Sequence, residues 1–404
     1  MRSGPTLVLP AHLHRQLKTH LIARDGREAA AVMICSRVTH GRIKLMVQQI
    51  LLVPHADSHR ERDFLSWPSS YVERALELAD ADDLSIVLIH SHPGGLFGFS
   101  RQDNRSDSEI IPAMHLDRAS HHMGTLYHGS AVMVPGGAIK ARLYDGDAKK
   151  IDIELVSVYG DELQFFWGDQ NGEIEPGRRP LAFTKAMTSE LAKLSVCVVG
   201  VSGTGSIVTE ELARMGVGEL MLIDFDRIED KNLNRILNST CADAADGRLK
   251  VDVLGDAIAS YRPGTVVHRI AAGIHERGSV TAAAAADILF CCVDSEKGRL
   301  VCDRLASACL MPLFDVGVTI PVRELPDGTQ AILDVLGRTD YVQPGGTTLW
   351  DRGVYTSQSL RAEALREADP AAYAKEVANN YLPGSQEEAP AVLPVNMRAA
   401  SAIV

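Results

Sequence analysis

The chain has 404 residues, enough for two domains that each bury a hydrophobic core. Hydrophobic residues make up 46% and charged residues 23% of the chain, which is typical of globular proteins. The formal net charge of −11 argues against a nucleic-acid-binding surface, and no apolar run reaches the roughly 18 residues that a membrane-spanning helix needs.

The cysteines and the amino terminus indicate the cellular compartment. None of the seven cysteines forms a C-x-x-C pair, so a reducing compartment is expected, and the amino terminus lacks a signal-peptide pattern. We therefore predict a cytoplasmic protein. Cys291 and Cys292 lie in an apolar run and are expected in a core.

The first part of the chain, after a polar start, reads as strands and helices in alternation. Residues 29–38 and 43–53 are rich in β-branched and apolar residues and are predicted strands. Ser70 and Glu73 form a capping-box pattern at the start of a helix that runs to residue 79. Residues 84–89 form a short buried strand that leads directly into His90.

His90 and His92 stand at positions i and i+2 just past this strand, and Ser100 and Asp103 follow. Side chains alternate along an extended chain, so both histidines point the same way. Asp103, brought back by the intervening loop, completes a three-ligand zinc site with one position open for water. Zinc makes hydroxide available at neutral pH, Glu28 is well placed to be the base acting on that water, and Ser100 would donate a hydrogen bond to the tetrahedral oxyanion.

These five residues match the pattern E…H-x-H-x(7)-S-x(2)-D position by position, and this part of the chain resembles the JAMM family of zinc metallopeptidases. The resemblance implies an α/β domain of the cytidine-deaminase-like type. It also implies zinc ligation by His90, His92 and Asp103, general-base catalysis by Glu28 and oxyanion support by Ser100. The family hydrolyses peptide or isopeptide bonds after the carboxy-terminal glycine of ubiquitin-like proteins.

A second group of histidines, namely His115, His121, His122 and His128, shows no recognisable ligand spacing. A second metal site stays an open alternative, but we expect solvated side chains or residues at the rim of a substrate site. Residues 131–134 and 138–143 are predicted strands around a Pro-Gly-Gly turn. Residues 151–167 read as one or two further strands, followed by a turn-rich stretch. We therefore predict a first domain over 1–150, connecting strands and a linker over 151–180, and a second domain over 181–404.

The second domain opens with a strand, a glycine-rich turn, a helix and a second strand. Residues 196–199 are apolar, Gly200, Gly203 and Gly205 follow, residues 207–215 are amphipathic, and a second apolar run ends at Asp224. This order is typical of a Rossmann-like unit. Glycines let the backbone approach a phosphate, and Asp224, 19 residues after Gly205, can bond a ribose hydroxyl. These features alone predict a nucleotide site, with NAD as one option.

The residues after Asp224 make the pattern more specific, because Asn232, Arg235 and Lys250 follow at set distances. Over about a hundred residues the chain resembles the ubiquitin-activating superfamily, which includes ThiF-, MoeB- and HesA-type adenylyltransferases. The resemblance implies a doubly wound adenylation domain that uses ATP and Mg²⁺. It assigns Asp224 to the ribose, Asn232, Arg235 and Lys250 to the phosphates, and Asp294, at the end of the predicted strand 287–293, to magnesium. Fixed cations at Arg235 and Lys250 would stabilise charge on the α-phosphate and pyrophosphate.

Relatives in this superfamily often carry an acyl-accepting cysteine in a proline-glycine-rich loop. At that place this chain has residues 344–349, with Thr347 and Thr348, and no cysteine follows Cys309. Three explanations stay open: the reaction stops at the acyl-adenylate, a cysteine has been replaced by engineering, or Thr347 or Thr348 accepts the acyl group. Thr348 is a candidate catalytic residue, although a hydroxyl is a much poorer nucleophile than a thiol. Residues 389–404 end in what reads as the start of a helix, which is typical of a truncated chain.

The superfamily resemblance also implies a homodimer and an arginine, before the first strand, that reaches the nucleotide site of the partner. Arg178 and Arg179 are candidates, but a solvated linker charge is the favoured interpretation for each. The glycine-tailed ubiquitin-like protein would be the substrate, and a conjugating enzyme is an expected partner. We expect no partner among nucleic acids or membranes.

The hypothesis from sequence is a bifunctional enzyme of a bacterial-type ubiquitin-like modification system. Its zinc peptidase would process or remove a ubiquitin-like protein, and its second domain would adenylate the carboxy terminus of the same protein. The alternative is activation of a sulfur carrier for cofactor or amino-acid synthesis. An NAD dehydrogenase is disfavoured because that class has no need of Asn232, Arg235 and Lys250 together, and a non-catalytic scaffold predicts degenerate ligands.

Overall fold

A computed structural model describes residues 4–80, 82–118, 126–169, 185–320, 322–324, 330–332, 334–379 and 392–404. The chain divides into two compact units, residues 2–179 and residues 180–404. Each unit has its own large sheet with helices, which confirms the predicted α/β class. Within the described ranges, no helix is both long and apolar enough to cross a membrane.

The first unit alternates strands and helices, because its apolar runs are short and are separated by turn residues. In chain order its elements are β1 (Thr6–Pro10), α1 (Ala11–Leu21), β2 (Ala30–Val38), β3 (Lys44–Leu52), β4 (His59–Arg60), β5 (Leu65–Ser66), α2 (Ser70–Asp80), β6 (Ser85–Ser91), α3 (Arg101–Arg118), β7 (His128–Met133), β8 (Ile139–Tyr144), β9 (Lys150–Asp152), β10 (Leu155–Tyr159) and β11 (Leu163–Trp167). A nine-stranded sheet has the order β11-β10-β1-β3-β2-β6-β7-β8-β9, and β4 and β5 form a separate hairpin. The structure contains the predicted helix at 70–79 and, at similar bounds, the predicted strands at 29–38, 43–53, 84–89, 131–134 and 138–143.

The middle of this sheet is buried on both faces. Alternate residues of β2 contribute to two apolar clusters: Met33 packs with Leu17 and Leu21 of α1, whereas Ile34 packs with residues of α2 and α3. β6 pairs with β2 in antiparallel fashion, with Ala30 opposite His90, and with β7 in parallel fashion. These pairings place the carboxyl ends of β6 and β7 beside the amino end of β2, at the same end of the sheet.

Residues 150–167, which the sequence analysis assigns to connecting strands, pair within this sheet. β10 runs parallel to β1, and β11 closes the sheet edge by antiparallel pairing with β10. Tyr159 and Trp167 are almost completely buried. β1 is consequently an inner strand, with β3 on one side and β10 on the other.

The second unit contains a smaller sheet flanked by helices. In chain order its elements are α4 (Lys185–Leu191), β12 (Ser195–Val199), α5 (Gly203–Met215), β13 (Glu219–Ile223), α6 (Cys241–Ala245), α7 (Lys250–Tyr261), β14 (Val266–Ile270), α8 (Arg277–Ala284), β15 (Ile288–Cys291), α9 (Glu296–Ala308), β16 (Leu313–Thr319), β17 (Val322–Glu324), β18 (Gln330–Ile332), β19 (Leu336–Val342), α10 (Ser357–Ala368), α11 (Pro370–Ala378) and α12 (Leu393–Ala400). The main sheet has the order β14-β13-β12-β15-β16-β19, and β17 and β18 form a separate hairpin.

The strand order of the second unit identifies where a ligand binds in such a fold. Strands β12 to β16 are all parallel, and only β19 is antiparallel. The chain moves outward from β12 in one direction through β13 and β14, then returns to the other side of β12 through β15 and β16. This reversal is the topological switch point of a Rossmann-like sheet, and ligands bind outside the carboxyl ends of the strands there. The Rossmann-like prediction is therefore confirmed.

The cysteines are core residues in six cases out of seven. Cys291 and Cys292 are buried, as the apolar run predicts, and only Cys241, the first residue of α6, is exposed. Burial raises the pKa of the Cys35 and Cys292 thiols, so these groups stay protonated and unreactive at neutral pH.

Candidate active sites

The first site lies at the carboxyl end of β6, where three potential metal ligands converge. His90 is the penultimate residue of β6, His92 follows the strand, and Asp103 lies in the first turn of α3. The two Nε2 atoms of the histidines are 3.0 Å apart. Asp103 Oδ1 lies 3.1 Å from His90 Nε2, and its Oδ2 lies 3.4 Å from His92 Nε2. The three ligand atoms all lie within 4.8 Å of one another, so a single ion can contact all three.

The tautomer of His92 suits metal binding. Its Nδ1 lies 3.0 Å from the carbonyl oxygen of Leu96, and a carbonyl only accepts, so Nδ1 carries the proton and Nε2 is left to bind a metal. Burial acts to lower the pKa of His92, but the hydrogen bonds to Asp103 and Leu96 and the charges of Asp103 and Glu28 together raise it. Burial acts to raise the pKa of Asp103, but the hydrogen bonds to His90 and His92 hold it well below its usual range. The donor set of two imidazoles and one ionised carboxylate is one that zinc accepts.

Ser100 and Asp103 form two reciprocal hydrogen bonds at the start of α3. The Ser100 hydroxyl accepts a hydrogen bond from the Asp103 backbone N–H at 3.1 Å, and the Ser100 backbone N–H donates to Asp103 Oδ2. This reciprocal pairing is a capping box, and it orients the carboxylate toward the two histidines. Because the hydroxyl acts as an acceptor here, its own proton stays available for donation to another group.

Glu28 lies beside the histidines, two residues before β2, which begins at Ala30. Ala30 is opposite His90 in the antiparallel register, so Glu28, two residues earlier, falls opposite His92 and on the same face. The backbone carbonyl of Glu28 accepts a bond from Arg60 Nε at 2.7 Å, and the residue is 9% exposed. Burial raises the pKa of Glu28, and the charges that His90 and His92 can carry oppose this shift.

A buried polar cluster around Arg142, which the sequence analysis missed, supports the start of α3. The guanidinium carbon lies 3.7 Å from the centre of the Phe99 ring, and Nη1 donates to Asn104 Oδ1. Nε and Nη2 contact Asp107 Oδ2 at 2.9 and 2.6 Å. Ser130 and Tyr144 also donate to this carboxylate. Phe99 and Asn104 bracket residues 100–103, so Arg142 holds both ends of the segment that carries Ser100 and Asp103.

The prediction that the second histidine group is solvated is wrong for two of its members. His115 and His128 are 7% and 0% exposed, and their ring centres lie 4.6 Å apart. His128 begins β7, which has a strand on each side, and His115 lies on the inward face of α3. Burial lowers the pKa of His115. His121 and His122 lie outside the described residues, and within those residues the only cluster of three potential metal ligands is that of His90, His92 and Asp103.

The second site lies at the switch point, where β12 passes into the glycine-rich turn and α5. Gly200 has a φ of +82°, and a Cβ there would lie 2.9 Å from the carbonyl oxygen of Cys292. A Cβ on Gly205 would lie 1.8 Å from the carbonyl oxygen of Gly200. These two glycines are therefore required by the tight packing of the turn itself. Gly203 is the first residue of α5. The free N–H groups and the dipole at this end of the helix attract an anion.

Asp224 follows β13 and ties this strand to the glycine turn. Its Oδ2 accepts a hydrogen bond from the Val201 N–H, and its Oδ1 accepts one from the Asp226 N–H, both at 2.8 Å. Burial raises the pKa of Asp224, and the nearby Lys250 opposes this shift. Lys250, the first residue of α7, has a 5% exposed side chain whose Nζ donates to Asp226 Oδ2 at 2.7 Å. The structure therefore brings Asp224 and Lys250 together, as the family pattern predicts.

Asn232 and Arg235 lie on the segment between β13 and α6. Asn232 is 4% exposed, and its side-chain oxygen accepts a bond from the Glu229 N–H in a capping box. Arg235 Nη1 donates to the carbonyl oxygen of Lys231 at 2.8 Å. The Cδ atom of Arg235 lies 3.4 Å from where a Cβ of Gly203 would be, which places this arginine over the first residue of α5.

Asp294 is exposed and lies on the turn after β15. The buried Arg299 hydrogen-bonds to the backbone of this turn. Arg299 Nη2 and Nη1 donate to the carbonyl oxygens of Val293 and Asp294 at 2.7 and 3.4 Å. Arg299 also pairs with Asp315, which is 0% exposed and contacts Arg338 as well. Sequence reasoning missed Arg299, although an arginine five positions after a strand-end aspartate could have suggested that it supports the turn.

The proline-glycine loop places Thr348 at the start of a tight turn. Its hydroxyl donates to Asp351 Oδ2 at 2.8 Å and accepts a bond from the Asp351 N–H at 3.1 Å. Hydrogen bonds from the Thr348 backbone and hydroxyl lower the pKa of Asp351, which makes it a weak base. The Thr347 hydroxyl accepts a bond from Arg352 Nε at 3.3 Å. The acyl-acceptor role of either threonine stays a prediction. Arg178 and Arg179, the candidates for a residue shared across a dimer, lie outside the described residues.

Comparison with known families agrees with the division into two units. Residues 10–142 match the model for prokaryotic homologues of the JAB domain, and residues 178–331 match the model for the ThiF family. The first match contains Glu28, His90, His92, Ser100 and Asp103 at the positions described above. The second match contains the glycine turn, Lys250 and Asp294, among others.

Individual relatives match only part of the chain. The tRNA threonylcarbamoyladenosine dehydratase of Haemophilus influenzae is 38% identical over 88 residues, which are 22% of this chain and 33% of that protein. The ubiquitin-like modifier-activating enzyme 5 of Culex quinquefasciatus is 27% identical over 168 residues, which are 39% of this chain and 38% of that protein. The chain thus covers about a third of the length of these relatives. A crystal structure of E. coli MccB with succinimide has a TM-score of 0.40 at 20% identity, covering 54% of this chain and 55% of that chain.

The fold and the two clusters of side chains define a two-part α/β protein with a candidate metal centre in one unit and a Rossmann-like switch-point site in the other. With the two family matches, the chain is a fusion of a JAB domain and a ThiF domain of the ubiquitin-activating-enzyme-like superfamily.

Proposed function

We propose that this protein is a bifunctional enzyme acting on the carboxy-terminal glycine of a ubiquitin-like protein. One activity is zinc-dependent hydrolysis of the peptide or isopeptide bond after that glycine, and the other is Mg-ATP-dependent adenylation of the freed carboxylate. The observation that carries the proposal is the presence, in one chain, of a preformed His-His-Asp cluster in a JAB domain and of a ThiF domain. Cleavage exposes a carboxylate, and adenylation consumes one, so the two activities can share a substrate.

In the JAB domain, His90, His92 and Asp103 would hold zinc, which activates water as a nucleophile at neutral pH and polarises a carbonyl. Glu28 takes the proton from the attacking water and delivers it to the leaving amine. Ser100 donates a hydrogen bond from its free hydroxyl to the oxyanion that forms from the carbonyl oxygen. One water is consumed, and the products are a glycine carboxylate and an amine. Burial raises the pKa of Glu28, which favours its uptake of the proton from the water.

In the ThiF domain, the glycine turn and the amino end of α5 would receive the phosphates of ATP, and Asp224 would bond the ribose. A carboxylate oxygen of the glycine attacks the α-phosphorus, and the bond from that phosphorus to the pyrophosphate oxygen breaks. Lys250 and Arg235 stabilise the negative charge on the α-phosphate and on the leaving pyrophosphate. Asn232 would also contact the phosphates, and Asp294 would hold magnesium. The products are an acyl-adenylate and pyrophosphate.

The proposal includes partners and a location. The substrate is a ubiquitin-like protein that ends in glycine, a conjugating enzyme receives the activated protein, and the ThiF domain forms a homodimer in the cytoplasm of a bacterium. A second candidate is activation of a sulfur carrier, which the lack of a cysteine in residues 344–349 favours. The tRNA-modifying relatives suggest a nucleic-acid substrate, but the formal net charge of −11 works against a polyanion.

Exchange of radiolabelled pyrophosphate into ATP tests the adenylation half. The assay uses the full-length chain with and without a ubiquitin-like protein ending in glycine. We expect exchange that needs this protein and falls at least about 100-fold in Asp294→Ala. Asp246→Ala, which removes an exposed acid elsewhere in the same unit, is the control and should keep full exchange. Absence of exchange with every glycine-tailed partner would overturn this half.

A fusion of the same ubiquitin-like protein to a reporter tests the peptidase half. The full-length chain loaded with zinc should release the reporter, and His92→Ala should abolish release together with the bound zinc. A chain that binds zinc and leaves every such fusion intact would contradict the hydrolase assignment. If the adenylate then passes to a sulfur donor rather than to a conjugating enzyme, the sulfur-carrier alternative is correct.

A further inference from the structure

The helix α12, near the end of the chain, packs against the nucleotide-binding part of the ThiF domain. It contacts α5, β16 and β19, and Ser401 just after it donates a hydrogen bond to Glu211 of α5. Its buried residues are Asn396, Ala399 and Ala400. The inner face of α12 is therefore made of small apolar side chains with a single polar one, Asn396. Residues 392–404 lie beyond the stretch that matches the ThiF family, so the matched stretch does not include this contact.

Asn396 is aimed at the first residue of α5. Its Nδ2 atom lies 2.4 Å from where a Cβ of Gly203 would be, so a side chain at this position would displace the amide. The residue is 3% exposed. Among the described residues, no hydrogen bond to the side-chain amide of Asn396 is present. Its polar side-chain atoms keep some contact with solvent, so this unpaired amide can donate to a ligand that reaches it from solution.

The surroundings of this amide indicate what could replace those bonds. Gly203 begins α5, a helix of 13 residues whose first N–H groups and dipole favour an anion. Arg235 approaches the same residue, with its Cδ atom 3.4 Å from the Gly203 Cβ position. A helix amino terminus and an unpaired amide donor thus meet at Gly203, and both favour an oxyanion, whereas the guanidinium of Arg235 donates to the carbonyl oxygen of Lys231.

We propose that Asn396 is a nucleotide-binding residue, and that its side-chain N–H donates a hydrogen bond to a phosphate oxygen of a bound nucleoside triphosphate. The inference rests on the proposed adenylation function and extends it. α12 completes the phosphate site from outside the matched domain, and the buried amide gains its partner only when the nucleotide is present.

Calorimetric titration of the full-length chain with Mg-ATP, and in parallel with adenosine, tests this proposal. Asn396→Ala should raise the Kd for ATP about tenfold, equivalent to about 1.4 kcal/mol, and leave the weaker affinity for adenosine unchanged. Asn396→Asp, which keeps the size and adds a negative charge, should raise the Kd for ATP further. Met397→Ala, an exposed position of the same helix, is the matched control and should bind both ligands like the parent.

The possible results distinguish failure of this inference from failure of the proposed adenylation function. If the parent chain binds no ATP, the proposed adenylation function fails. If the parent binds ATP and Asn396→Ala binds it equally well, only the role of Asn396 is overturned. Equal losses for ATP and adenosine would also overturn it, since they would mean that the amide supports the packing of α12. Thermal unfolding of each variant checks the fold, and Asn396→Ser serves if the alanine variant does not fold.

Discussion

Replacement of Arg142 by methionine should destabilise the JAB domain and weaken its metal site together. Arg142 is 3% exposed and bridges Phe99, Asn104 and Asp107, which lie on either side of the ligand Asp103. Methionine fills a similar volume but leaves the Asp107 carboxylate buried without its counter-charge. Removing one partner of a buried ion pair costs about 3–5 kcal/mol. For a unit of this size, that loss lowers the unfolding temperature by about 6–20 °C.

Thermal unfolding and zinc titration of the full-length variants measure both effects. We expect the zinc affinity of Arg142→Met to fall about tenfold, because the segment that carries Asp103 loses its support at both ends. Arg105→Met is the matched control: this arginine lies on α3, the helix that Arg142 supports, but its side chain is 82% exposed, so the free energy of unfolding should change by no more than about 0.5 kcal/mol.

A double variant provides the sharper check on the physical reason. Adding Asp107→Asn to Arg142→Met removes the uncompensated charge, while the amide oxygen can still accept bonds from Ser130 and Tyr144. The double variant should therefore be more stable than the sum of the two single changes predicts, by about 0.5–3 kcal/mol. Additive losses, or a shift of less than about 2 °C in Arg142→Met, would refute the reasoning.

Three further substitutions test individual roles. Glu28→Gln should keep bound zinc but cut the rate of isopeptide cleavage at least about 100-fold in a reporter-release assay, and an unchanged rate would rule Glu28 out as the base. Lys250→Met should reduce pyrophosphate exchange about 100-fold or more, whereas Lys231→Met, whose lysine side chain is 60% exposed, should match the parent. Thr348→Ala should leave both pyrophosphate exchange and any hydroxylamine-sensitive adduct intact, because the Thr348 hydroxyl of the parent donates to Asp351, which is a weak base. Loss of the adduct with normal exchange would instead make Thr348 the acyl acceptor.

The His90, His92 and Asp103 cluster, the candidate metal site, could be predicted from the sequence because its geometry is nearly local. A strand end places His90 and His92 on one side, and a helix start after a short loop returns Asp103 to them. The glycine turn and Asp224 are similar, since one strand–helix–strand unit contains them. What the sequence did not reveal about Asp224 is that its carboxylate already accepts bonds from two backbone N–H groups, and so it also holds the turn in shape.

The supporting residues could not be predicted in this way because they meet only in the folded sheet. Arg142 lies on β8, far along the chain from Asn104 and Asp107, and nothing in their spacing connects them. Asn396 lies near the end of the sequence of the second unit, whereas Gly203, which it contacts, lies near its start. The helix α1 was missed for another reason: its buried positions Leu17 and Leu21 have helical spacing, but polar residues fill most of the rest, so the stretch reads as a polar start.

The inner position of β1 also has a consequence for the order of events during synthesis. β1 leaves the ribosome well before one of its two neighbours, β10, which ends only at Tyr159. Until then an apolar strand would have a free edge, and free edges pair with other chains. Parallel pairing over such a separation is intrinsically slow. The nascent JAB unit is thus most prone to aggregate before residue 159 emerges, and a fragment that ends at residue 150 would keep this exposed edge permanently.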